Sequence, residues 1–178
     1  MLRIMENYAW TQHFHRCFDK AVAAYVRGDK TSGAGLDPAD LAFLRSVGCS
    51  AQELFDFVDD LQRYQEPSYG DALLIASVRR DFFLVVQKGK PSGKVVTRDE
   101  LPEKTAAVDG IEWLPRIISK ARAKLRGELS PDTMFGCGGD RAFLKKYNLH
   151  PADFLRTVWA ARDDDRKIIE HVKDTASR

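Results

Sequence analysis

The chain has 178 residues, enough to bury one proper core or two small ones. Its formal net charge is +2 with 30% of residues charged, which argues against a polyanion binder by gross charge and leaves any basic character local. Three cysteines, Cys17, Cys49 and Cys137, are odd in number, far apart and without a CxxC pair. Neither a disulfide framework nor a zinc site is therefore expected, and no metal or other cofactor is assigned. The opening MLRIMENYAW lacks the apolar stretch of a signal peptide, and no apolar run approaches membrane-spanning length. The expectation is a protein of the reducing cytoplasm without a membrane partner.

The first predicted helix covers 11–27, with Phe14, Cys17, Phe18, Ala21, Val22 and Tyr25 on one face and Gly28 ending it. His13 and His15 are two apart and point to different sides of that helix, which makes them poor joint metal ligands. After a loop at 29–37, Asp37-Pro38 opens a short helix carrying Leu41, Phe43 and Leu44 and closed by Gly48. Ser50 and Glu53 form a capping box for a helix with Leu54, Phe57, Val58 and Leu61 inward. Its outward Asp56, Asp59 and Asp60 read as a solvated acidic face, not a metal site. Ser68 and Asp71 cap the next and most apolar helix, whose end, 82–86, could alternatively be a strand pairing with 94–97. The stretch 89–110, rich in Gly, Pro, Lys and Asp, reads as a linker.

A basic helix follows. Pro115 sits in its first turn, Ile117, Ile118, Ala121 and Leu125 form its apolar stripe, and Gly127 is its C-cap. Arg116, Lys120 and Lys124 lie four apart, as do Arg122 and Arg126, so the remaining surface reads as a solvated basic face or a surface for an anion. A turn at Ser130-Pro131-Asp132 leads to Gly136-Cys137-Gly138-Gly139-Asp140-Arg141, where Asp140 is predicted to cap a helix through Ala142, Phe143 and Leu144. Glycines before a helix N-terminus let backbone N–H groups converge on an anion; they equally supply the positive φ of a tight turn. The loop is neither a Walker A sequence nor a dinucleotide fingerprint. Asn148 ends this helix, His150-Pro151 starts one with Phe154, Leu155, Val158 and Trp159, and Asp163 or Asp164 caps the last, with Ile168, Ile169 and Val172 inward.

The two halves match in residues and in element order. Ala24, Arg27 and Gly28 correspond to Ala123, Arg126 and Gly127; Asp40, Ala42, Phe43 and Leu44 to Asp140, Ala142, Phe143 and Leu144; Glu53 and Val58 to Asp153 and Val158. The expectation is an all-α fold of about eight helices in two homologous four-helix halves from an internal duplication. The halves would be 1–88 and 111–178, joined by 89–110 and related by a pseudo-two-fold. Both Phe-Leu pairs should be buried at equivalent places, and Phe18 and Ile118 should lie near a shared core.

WLPRIISKARAKLRGEL and GCGGDRAFLKKYNLHPADFL resemble the bacterial domain-of-unknown-function 5069 family, and FLRSVGCSAQELFDFVDD with SVRRDFF resembles its two-copy members. The resemblance implies a helical bacterial cytoplasmic protein and carries no activity or catalytic residue.

The functional expectation is a non-enzymatic binding or regulatory module. It would hold a small anionic ligand, such as phosphate, or an acidic protein at Arg116, Lys120, Cys137, Gly138, Gly139, Asp140 and Arg141. Two alternatives use the same stretch. One is nucleic-acid binding through 116–126, against which stand the low net charge and the lack of interleaved aromatics. The other is a cysteine-dependent enzyme in which Cys137, before a helix and near Arg141, is the nucleophile, with no base that the sequence places beside it.

Overall fold

The computed structural model describes residues 7–176, and within them the chain is all-α apart from one tiny hairpin. Eight α-helices follow in order among the described residues: α1 Trp10–Val26, α2 Pro38–Ser46, α3 Ala51–Tyr64, α4 Tyr69–Val85, α5 Leu114–Arg126, α6 Gly138–Lys146, α7 Pro151–Ala161 and α8 Asp165–Ala176. None of them is long and apolar enough to cross a membrane. The chain divides into two compact units between Arg80 and Asp81, inside α4.

In the first unit α1 packs on α2 and α3. Phe14, Cys17 and Phe18 of α1 meet a core that includes Leu44 and Leu54, Phe57 and Val58 of α3, all nearly inaccessible. Each such apolar side chain contributes about 1.5–3 kcal/mol by leaving water. The helix starts are set by local chemistry. Asp37 accepts the backbone N–H groups of Ala39 and Asp40 (both 2.9 Å) with Pro38 behind it, and Ser50 and Glu53 form the reciprocal capping box. Ser68 and Asp71 cap the start of α4 in the same reciprocal way.

In the second unit α5 packs on α7, and α7 on α8. Leu114, Ile117, Ala121, Phe154, Leu155 and Ile168 are fully buried there. The end of α4 is helical to Val85, so 82–97 holds no hairpin. The hairpin is instead Ala107–Val108 paired antiparallel with Ile111–Glu112. Asp109 and Gly110 both take positive φ (52° and 75°) in its two-residue turn, the conformation that Asp-Gly favours.

The segment 89–110 is anchored in the second unit. Val96 bridges Leu129 through Val96 N–H to the Glu128 carbonyl (2.6 Å) and Ser130 N–H to the Val96 carbonyl (3.1 Å). Ser92 donates its hydroxyl to the buried Glu128 carboxylate, and Arg116 Nη1 holds the Pro102 carbonyl at 2.6 Å. Such partners are what separate an ordered irregular segment from a linker.

The ends of the two short helices agree in detail. Val47 and Tyr147 follow them at φ, ψ of −102°, 10° and −101°, 14°, and Gly48 and Asn148 then take positive φ (72° and 52°). Leu44 and Leu144 are each 1% exposed. Phe143 is buried but Phe43 is only half-buried, because it lies under the ring of His13 rather than in the core.

Candidate functional site

Of the site residues named from the sequence, Lys120 meets both Cys137 and Asp140, Arg141 turns to the Gly136 carbonyl, and Arg116 goes to the Pro102 carbonyl instead. Helix α6 starts at Gly138, with Cys137 as its N-cap and Asp140 at the third helical position. Asp140 therefore does not cap the helix. Its side chain, 0% exposed, accepts from the Trp113 indole N–H (2.9 Å) and the Gly136 backbone N–H (2.9 Å), and it pairs with the Lys120 ammonium. A buried carboxylate survives desolvation only with such a set of donors, each charge-assisted. Gly136, at φ 86°, makes the turn that brings its N–H onto Asp140. Arg141 sits at the same turn and donates Nη1 to the Gly136 carbonyl at 2.7 Å.

The basic helix does not carry a solvated face. Arg116, Lys120 and Lys124, spaced i, i+4, i+8, form a buried row, and Arg122 and Arg126 are half-buried. Arg122 reaches the Arg162 carbonyl and Asp165, and Arg126 donates to Glu128 at 2.7 Å. The partners that make burial possible come from distant parts of the chain, so helical spacing alone could not reveal them. Burial also removes three of the five bases from any surface that could track nucleic-acid phosphates.

Lys120 has a second partner. Its Nζ lies 3.3 Å from Cys137 Sγ. Cys137 is partly exposed, Gly138 and Gly139 are exposed, and no side chain caps the α6 N-terminus. Access differs between the two glycines. A methyl on Gly139 would meet the Trp113 ring at 2.5 Å, whereas one on Gly138 would find only Arg141 Nη2, at 3.9 Å. Trp113 holds a left-handed backbone (φ 71°), a conformation few non-glycine residues adopt, and its indole bond to Asp140 fixes it there.

The first unit contains a parallel set of contacts. Asp40, 4% exposed, receives Lys20 Nζ at 2.6 Å, and His13 Nε2 lies 3.2 Å from its other oxygen. His13, Lys20 and Asp40 thus stand to each other as Trp113, Lys120 and Asp140 do. At the helix start the two differ: Asp37 caps α2 and accepts Lys20 at 3.1 Å, whereas Cys137 faces Lys120 and caps nothing.

Burial raises the Asp40 carboxyl, but hydrogen bonds from Lys20, Asp37 N–H and His13 outweigh it and bring the pKa down to about 2. Cys17 donates to Asp40 at 3.6 Å, and burial together with the Asp40 charge pushes its thiol up to about 12. His13 and Cys17 lie one turn apart on α1, and both reach Asp40. Their i, i+4 spacing is the signal the sequence offers for the pair.

Residues 101–178 match a family described as a domain of unknown function, DUF5069. No curated protein and no solved structure matches the chain.

Proposed function

We propose that the chain is a duplicated binding or regulatory module, not an enzyme, that holds a small anion at the start of α6. The observation that carries this reading is the difference between Asp37 and Cys137. In the first unit a carboxylate occupies the helix start, accepting two backbone N–H groups and a lysine. In the second the same arrangement of helix start and lysine has a thiol in place of the carboxylate, and the N-terminus has no side-chain cap. Asp37 thus marks the place where an external carboxylate or phosphate oxygen would sit against Gly139 N–H, Asp140 N–H and Lys120. Helix N-termini favour such anions through their free N–H groups and dipole.

Charge supports the same reading. Two of the buried cations among the described residues, Lys120 and Arg141, lie at the start of α6. The matching order of helices, and the recurrence of the lysine–aspartate pair, support a gene duplication in which the second copy kept or acquired the ligand site. The resemblance to two-copy members of the 5069 family, together with three free cysteines, supports a bacterial protein of the reducing cytoplasm.

A thermal-shift titration with inorganic phosphate tests the site. At 100 times its Kd a ligand stabilises by about 2.7 kcal/mol. The variant Cys137→Asp supplies the cap internally; it should be more stable than the parent by about 1 kcal/mol and insensitive to phosphate. No shift with phosphate, sulfate or a nucleotide in the parent chain would overturn the reading.

A second reading has its own observation. Lys120 Nζ at 3.3 Å from a partly exposed thiol at a helix N-terminus is the setting in which a thiolate becomes nucleophilic, so Cys137 chemistry is the alternative.

A further inference from the structure

We propose that His13, Cys17 and Asp40 of the first unit form a binding site for a borderline divalent transition metal of the zinc or cobalt class. His13 and Cys17 lie one turn apart on α1 and project to the same side, and Asp40 comes from α2. Their ligating atoms all lie within 4.8 Å of one another. The separations from Asp40 Oδ1, 3.2 Å to His13 Nε2 and 3.6 Å to Cys17 Sγ, are close to the edges of a tetrahedron around zinc. Zn–N, Zn–O and Zn–S bonds of roughly 2.1, 2.1 and 2.3 Å give edges of about 3.4 and 3.6 Å. The same atoms that share protons in hydrogen bonds are thus spaced to share a metal ion.

The donor set selects the metal. An imidazole and a thiolate exclude calcium and magnesium, which take oxygen, and one nitrogen, one sulfur and one oxygen suit zinc or cobalt. Three protein ligands leave one tetrahedral position for water or a ligand, and His13, with 28% of its side chain exposed, lies on the solvent side. On binding, the sulfur gives its electron pair to the ion and the thiol proton leaves to solvent.

The surroundings are consistent with that charge. Lys20 holds Asp40 Oδ2 at 2.6 Å and leaves Oδ1 to the metal, so it acts as the outer partner that orients a ligating carboxylate. Its own charge is offset by Asp37 at 3.1 Å. With a divalent ion, the thiolate and Asp40 balance the metal and Asp37 balances Lys20.

The second unit shows that packing does not require these side chains. There the indole of Trp113 satisfies the Asp140 carboxylate alongside Lys120, and the buried residue one turn after it is Ile117. Neither can ligate a metal. The histidine–cysteine pair is thus particular to the first unit.

Cobalt(II) titration of the reduced full-length chain tests the site. One ion per chain is expected, with a sulfur-to-cobalt charge-transfer band and the intense d–d absorption of a four-coordinate ion. Cys17→Ser should abolish the charge-transfer band, and His13→Gln should weaken binding by roughly tenfold or more. Cys137→Ser should leave both unchanged. His13 is partly exposed, so its variant keeps the test decisive if Cys17→Ser fails to fold. Absence of the band in the parent chain, its persistence in Cys17→Ser, its loss in Cys137→Ser, or an unchanged affinity in His13→Gln would each overturn the proposal.

Discussion

Replacing Asp140 with asparagine isolates the interaction on which the second unit's site is built. The side chain is 0% exposed and its partner Lys120 only 4%, so neither can turn to water when the other changes. An asparagine can keep one acceptor for the Trp113 indole. Its amide nitrogen, itself a donor, must then face both the Lys120 ammonium and the Gly136 N–H, and both lose their acceptor. Leaving an uncompensated charge in the interior costs about 3–5 kcal/mol. At roughly 2–4 °C of Tm per kcal/mol for a chain of this size, the melting temperature should fall by about 6–20 °C. Urea denaturation of Asp140→Asn, Lys120→Met and the double variant Lys120→Met/Asp140→Leu measures this directly. Both single variants should be strongly destabilised, and the double variant should cost much less than their sum because no charge is left unpaired. A loss under about 1 kcal/mol in Asp140→Asn would refute the reasoning, since surface ion pairs are worth that much.

Two further outcomes follow from the same unit. Burial raises the Glu128 carboxyl, but hydrogen bonds from Ser92 and Arg126 outweigh it and hold its pKa below the ordinary range. A carboxylate depressed in the folded state stabilises above its unfolded pKa, and that contribution is lost as pH falls from there through the lower folded value. Glu128→Gln should therefore cost roughly 1–3 kcal/mol at neutral pH, and the gap should narrow in acid; a gap that stays constant down to acid unfolding would contradict the pairing. For the thiol reading, iodoacetamide should modify Cys137 ahead of the buried Cys17 and Cys49; labelling of all three at equal rates would remove the rationale.

What the sequence discloses here is what local rules control. The Ser50–Glu53 box, the Asp37-Pro38 start, the left-handed Gly127 and the helical spacing of Ile117, Ile118 and Leu125 each act within a few residues, and the helices follow them. The Asp109-Gly110 hairpin carries an equally local signal, which the surrounding Gly, Pro and Lys residues obscured. Partners far along the chain are a different matter. Asp140 reads as a cap until Trp113, 27 residues away, and Lys120, 20 away, take its oxygens. Arg116 and Lys120 read as a solvated face until the Pro102 carbonyl and Asp140 cover them. His13 and Cys17 are visible as a pair, but the carboxylate between them comes from another helix. Tertiary contacts decide which charges are buried, and spacing along one helix does not encode them.

The most direct measurement of the anion site is an amide-resolved NMR titration of the folded chain with phosphate. The account predicts saturable shifts centred on the N–H groups of Gly138, Gly139 and Asp140, and none at those amides in Cys137→Asp, whose own carboxylate caps the helix. Shifts confined to other parts of the chain, or identical shifts in the two proteins, would contradict it.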